Sequence, residues 1–169
     1  RNHPNMRTEF AQMCALKSDH HPLSLIDNIT TTYDHVVLLI PKTTHDRESL
    51  QSIDIVAKAK NIAKKVWFMQ EGPSWIFQDL PIHQQFWHYN VLASVDGILC
   101  ENETDIPYFK GLIGSSKPVW DIPSVMVEDL IKDTFNTSKE EKVMMGGNFC
   151  RWYGGFDSYI IANQFDCPI

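Results

Sequence analysis

The chain reads as an α/β protein: a Rossmann-like parallel sheet with helices on both faces, followed by the first strand-loop-helix of a second such unit. Three observations predict this. Short apolar runs recur at 35–40, 66–69, 97–100 and 118–120. Longer stretches between them carry apolar residues at helical spacing. Near the C-terminus a further apolar run meets Gly146-Gly147, and a second glycine pair, Gly154-Gly155, opens an amphipathic stretch to Ala162. Alternation of this kind implies right-handed crossovers and a parallel sheet.

The elements follow in order. Residues 7–16 suit a helix with Phe10, Met13 and Cys14 on one side, and 23–29 a shorter one. Residues 35–40 form a continuous apolar run stopped by Pro41, as expected of a strand covered on both faces. From 46 to 63, Leu50, Ile53, Val56, Ala57 and Ile62 lie near helical spacing, with lysines in the final turns. Residues 66–69 give the second strand and 82–92 a helix with Ile82, Phe86 and Tyr89 on one face. The third strand, 97–100, leads to a helix starting near 104–107. There acidic residues sit in the first turn and Pro107 falls where its missing N–H does no harm. A short strand at 118–120 and a short helix at 124–131 complete this part.

The polar stretch after residue 131 marks a boundary. The expected organisation is one domain over 1–131, a linker over 132–141, and the start of a second domain over 142–169 whose first strand is 143–145. The chain opens on Arg1 rather than Met. The expectation is a trimmed N-terminus that has taken the opening strand of the sheet with it.

Composition excludes several classes. The 169 residues carry a formal charge of −6 and are 43% hydrophobic and 21% charged, ordinary values for a globular protein. No basic cluster stands out, so no nucleic-acid partner is expected. The longest apolar run, 36–40, is far too short to span a bilayer. Four cysteines, at 14, 100, 150 and 167, show no Cys-x-x-Cys pair and suggest reduced thiols, hence a cytoplasmic location. Sequons at Asn28, Asn102 and Asn136 matter only in a secretory compartment.

In open parallel sheets, ligands bind beyond the carboxyl ends of the strands. That singles out four loops: 42–45, 70–75, 101–103 and 146–155. Glu71 follows a strand within a Gly-Pro loop, where it either orients a hydroxyl, acting as general base, or is a solvated carboxylate. Trp75 is the one loop aromatic among many at core spacing, and a candidate for stacking on a sugar. His45 faces the same cleft, beside Asp46, which equally suits a helix cap. Glu101, Glu103 and Asp105 are cation-ligand types, but acids cluster in first helical turns for other reasons. Asp19-His20-His21 lacks a visible third partner, and no metal is assigned.

Residues 146–157, Gly-Gly-Asn-Phe-Cys-Arg-Trp-Tyr-Gly-Gly-Phe-Asp, follow a strand pattern and precede a helix pattern. With the alternation over 35–131, they resemble the GT-B glycosyltransferases, above all the retaining group that uses nucleotide-diphosphate sugars. The resemblance implies that Gly146, Gly147, Asn148, Arg151 and Gly154 hold the donor's diphosphate. It further implies that His45 and Trp75 bind the acceptor and that Glu71 is the catalytic candidate. No cofactor is implied beyond the donor substrate, and hexosyl transfer to an acceptor hydroxyl is the expected reaction. The family places Arg-Lys or Lys directly before the glycine where this chain has Trp152-Tyr153, so Arg151 lies early. Its downstream glutamate pair has no counterpart before Ile169. The resemblance thus implies an inactive fragment, prone to self-association through its incomplete second domain. A flavodoxin-like or receiver-like interaction domain is the alternative, although strands ending in Ile40, Met69 and Cys100 lack a receiver's aspartate. A dinucleotide enzyme would need Gly-x-Gly-x-x-Gly after a strand, and none occurs.

Overall fold

The four apolar runs of the first part become four strands. The computed structural model describes residues 8–40, 54–70, 72, 74–122, 140–145 and 154–168. In order these form α1 (Thr8–Leu16), a 3-10 helix (Leu23–Asn28), β1 (Tyr33–Ile40), α2 (Ile55–Ile62) and β2 (Ala63–Gln70). There follow α3 (Trp75–Gln78), α4 (Ile82–Ser94), β3 (Gly97–Cys100), a second 3-10 helix (Glu103–Asp105), α5 (Ile106–Ile113), β4 (Val119–Asp121) and α6 (Gly155–Ala162). The chain divides into two compact units, residues 1–128 and 129–169.

In the first unit all neighbouring strands pair parallel, in the order β1-β2-β3-β4. Register places Leu38, Phe68, Ile98 and Val119 in one row across the sheet. All four are buried in the same core as Ile55, Val56 and Ala59 of α2, Val91 and Leu92 of α4, and Phe109 of α5. Side chains alternate across a strand, so this row and its i±2 neighbours define one face. The strand order advances in one direction. Right-handed crossovers then carry successive helices over the same face, and the core shows that they do. Helices α2, α4 and α5 thus share one face of the sheet. On the other face Val37 is 39% exposed and Trp120 is 55% exposed, whereas Met69 is buried at 3%.

The helices are held at their ends. Asp54 caps α2 by accepting from the Ala57 N–H at 3.0 Å, so the helix expected from residue 46 begins, where described, at Ile55. Residues 46–53 lie outside the described residues. The last carbonyls of α4 receive two lysines: Lys60 Nζ donates to Ser94 O at 2.7 Å, and Lys117 Nζ to Ala93 O. Cations at this end also meet the negative pole of the helix. Gly114, at φ 77, ends α5 in a conformation that glycine adopts without strain.

Helix α4 corrects the periodicity reading. Ile82, Phe86 and Tyr89 do share a face, but it is the outer one, and they are 65%, 63% and 45% exposed. The buried face is Gln84, His88, Val91 and Leu92. His88 enters the core as a flat ring, stacked on Phe77 with centroids 4.0 Å apart and edge-on to Phe68 at 5.3 Å. A ring counted as polar thus fills an aromatic position.

In the second unit, residues 140–145 form no strand, against the expectation for 143–145. A strand needs a laddered neighbour; instead the Val143 N–H donates to Pro168 O at 2.9 Å, beyond α6. Val143, Met144 and Met145 line a cavity of about 300 Å³ with Ile161, Ala162 and Phe165. The helix expected at 124–131 and most of the linker lie outside the described residues.

Gly97 is the tightest point of the sheet. A Cβ there would lie 2.7 Å from Trp67 Cε3 and 3.0 Å from Pro118 Cγ. Gly97→Ala is expected to destabilise the protein by about 1–3 kcal/mol. Urea denaturation checks this, and in a Trp67→Ala background the cost should largely vanish, since the two sites share one space.

Candidate functional site

The carboxyl ends of β2, β3 and β4 lie side by side, and the loops leaving them carry the polar groups. The turn after β2 passes Gly72, at φ 90, and reaches Ser74, which opens α3. The turn after β3 passes Asn102, whose Oδ1 accepts from the Thr104 N–H at 3.0 Å and so starts the 3-10 helix ending at Asp105. These loops are joined by one buried contact. The Asp105 carboxylate accepts from Ser74 Oγ at 2.7 Å and from the Ser74 N–H at 3.1 Å. Both residues are buried.

Asp105 also sets the electrostatics here. Burial first, then the negative charges of Asp105 and Asp121, push the Cys100 thiol up to about 12. The Tyr108 phenol is raised by burial and then by Asp105. Neither group ionises near neutral pH. Cys100 is therefore a packed thiol rather than a nucleophile, and the Ile122 N–H that donates to its carbonyl at 2.8 Å fixes the chain leaving β4.

Of the residues that the resemblance assigns to the site, two are described. Trp75 begins α3 and is 43% exposed, directly after Ser74. Its backbone is thus tied to the β3 loop through the Ser74–Asp105 contact. Gly154 stands at the N-terminus of α6 at φ 66, ψ 32, left-handed, and its carbonyl accepts from the Ser158 N–H at 2.7 Å. Glu71, His45, Gly146, Gly147, Asn148 and Arg151 lie outside the described residues, as does Asp46. Glu101, Glu103 and Asp105 do not converge: Asp105 turns inward to Ser74, whereas Glu103 is exposed. Among the described residues no group of three metal-ligating side chains occurs.

Asp19 and His21 do converge, on a phenol rather than a metal. Tyr33 Oη donates to Asp19 Oδ2 at 3.0 Å and lies 3.1 Å from His21 Nε2. Partial burial, then Asp19, raise the Tyr33 phenol. Sequence reasoning missed the Ser74–Asp105 contact, which joins positions 31 apart. Only the serine just before a short helix and the aspartate just before the next hinted at it.

The sheet is open and parallel, its carboxyl edge carries a buried polar tether, and no helix among the described residues is long and apolar enough to cross a membrane. The class this defines is an α/β protein with a Rossmann-like sheet. Comparisons with protein-family models, with curated proteins and with solved structures returned no match.

Three outcomes follow. Asp105→Ala removes both acceptors from buried Ser74 and should cost about 1–3 kcal/mol in urea denaturation. In the native protein a thiol reagent should label exposed Cys14 quickly and Cys100 only on unfolding. The raised Cys100 value gives the sign with pH. Its contribution is complete below the ordinary value of 9.0 and is lost as pH rises towards about 12. A Cys100→Ala variant should lose less stability over that span.

Proposed function

We propose that the chain is the acceptor-side domain of a GT-B-like glycosyltransferase together with the opening of its donor domain. The supporting observation is Gly154. The glycine that the resemblance puts between the Arg151 loop and the helix is left-handed and begins α6, a role that glycine fills without strain. Helix N-termini with nearby main-chain N–H groups favour phosphate. In this reading Gly146, Gly147, Asn148 and Arg151 hold the donor diphosphate, and a guanidinium suits bidentate contact with it. Positive charge and N–H groups there would stabilise the departing diphosphate without a metal.

The acceptor side belongs to the first unit. Trp75 would offer a stacking face, and Glu71, at the end of β2, would orient the acceptor hydroxyl or take its proton. The Ser74–Asp105 contact would then hold that loop in position. The strand order runs one way from β1 to β4. The loop containing His45 follows β1 in the chain, and open sheets bind ligands beyond the carboxyl ends of their strands. Free thiols at Cys14, Cys100 and Cys167 suit a cytoplasmic setting.

A second reading, a non-catalytic interaction domain, is favoured by the exposed stripe Ile82, Phe86 and Tyr89. One titration separates the two. With UDP, GDP or ADP added to the chain, amide shifts should localise to 146–155 at millimolar concentration, about −4 kcal/mol. Arg151→Ala should abolish them, and in the complete enzyme should cost about 1–3 kcal/mol of donor affinity. No shift with any nucleotide, or the same shift in the variant, would remove the donor-loop reading. Glu71→Gln in the complete enzyme should lower turnover while leaving donor affinity unchanged.

A further inference from the structure

The face of the sheet turned away from the core helices carries an aromatic cluster that the function above does not use. Trp67 on β2 reaches across Gly97 on β3, where the missing Cβ leaves room for its indole. Trp120 on β4 stacks on that indole, with centroids 4.7 Å apart and planes 29° apart. On the opposite side Trp67 Nε1 donates to His35 Nδ1, on β1, at 3.0 Å. The three side chains therefore span the whole sheet.

We propose that His35, Trp67 and Trp120 form a pH-responsive clasp on this face, latched while His35 is neutral and released when it is protonated. An indole nitrogen is a donor only, so Nδ1 must be the bare nitrogen and the ring proton must sit on Nε2. Protonation puts a proton on Nδ1 and sets two donors against each other. Attraction of the imidazolium to the ring does not repair this. His35 lies at the N–H edge of the indole, the positive side of its quadrupole, whereas a cation is attracted to the face. Trp120 already stacks there. His35 is exposed, so the proton has access.

Among the described residues the charged groups around His35 are few. Asp34, its neighbour in β1, pairs with Lys64 at 2.6 Å. Lys65, its register partner on β2, pairs with Asp96 at 3.2 Å. Asp19 and His21 meet Tyr33, two residues before it. Both lysines are thus matched by carboxylates, and His21 is the second histidine near β1.

The test is the indole 1H–15N cross-peak of Trp67, assigned with Trp67→Phe and followed from about pH 8 to pH 5, the span over which histidine titrates. The bonded indole proton should move upfield as pH falls. It should stay fixed in His35→Gln and keep its movement in His21→Gln. A cross-peak that does not move in the native sequence, or that moves equally in His35→Gln, overturns the proposal. Should His35→Gln fail to fold, the long-range 1H–15N spectrum of His35 in the native sequence decides. A bare Nδ1 at pH 8 supports the clasp, and a protonated Nδ1 there overturns it.

Discussion

The row Leu38–Phe68–Ile98–Val119 is the constraint on which the first unit depends. Parallel pairing brings these four positions into register, and alternation along each strand then commits every second residue to the helices. Phe68 and Ile98, in the two central strands, are fully buried there, against Phe109 and Leu92 from α5 and α4. Loss of such a ring typically costs about 3–5 kcal/mol, a large part of a small domain's stability. The one-way strand order follows from the same packing, because each right-handed crossover returns its helix to the face that the row exposes.

The other consequences fall at the two margins of that sheet. At its carboxyl edge the loops have no ladder to hold them, and the Asp105–Ser74 contact supplies a fixed point. A carboxylate buried with two donors is stable where it is and costly to move. It orders the chain next to Trp75, and its charge adds to burial, the larger cause, in raising the Cys100 and Tyr108 groups beside it. On the other face, which α2, α4 and α5 do not cover, Val37 and Trp120 are exposed and Met69 is buried. Gly97 and Trp67 fit together there, one by lacking a side chain and the other by lying over the gap.

Strands were the most legible part of the sequence. Short continuous apolar runs bounded by Pro or Gly, such as 36–40, favour strands, and 97–100 matches β3 to the residue. Helix faces were less legible. In α4 the apolar residues Ile82, Phe86 and Tyr89 lie outside and Gln84 and His88 inside, because the core selected a flat ring to stack on Phe77 rather than the most apolar stripe. A run such as 143–145 is equally apolar, yet strand formation needs a neighbour that sequence periodicity does not supply. The coverage of the second sheet face was unreadable for a related reason: apolar residues such as Val37 and Trp120 look the same in a sequence whether a helix covers them or water does. Near the candidate site, the left-handed Gly154 accords with glycine chemistry, whereas Trp75, expected on a loop, is the first residue of α3. The Ser74–Asp105 tether was not, since it depends on two loops becoming neighbours through the strand order.

Aromatic and methyl proton contacts in solution test the register on which all of this rests, because a slip of one residue exchanges the two faces of a strand. The Phe68 ring should contact Leu38, Ile98 and Phe109, while the Trp67 indole contacts Gly97, Trp120 and His35. Contacts from the Trp67 indole to the methyls of Val91 or Leu92 would contradict the account.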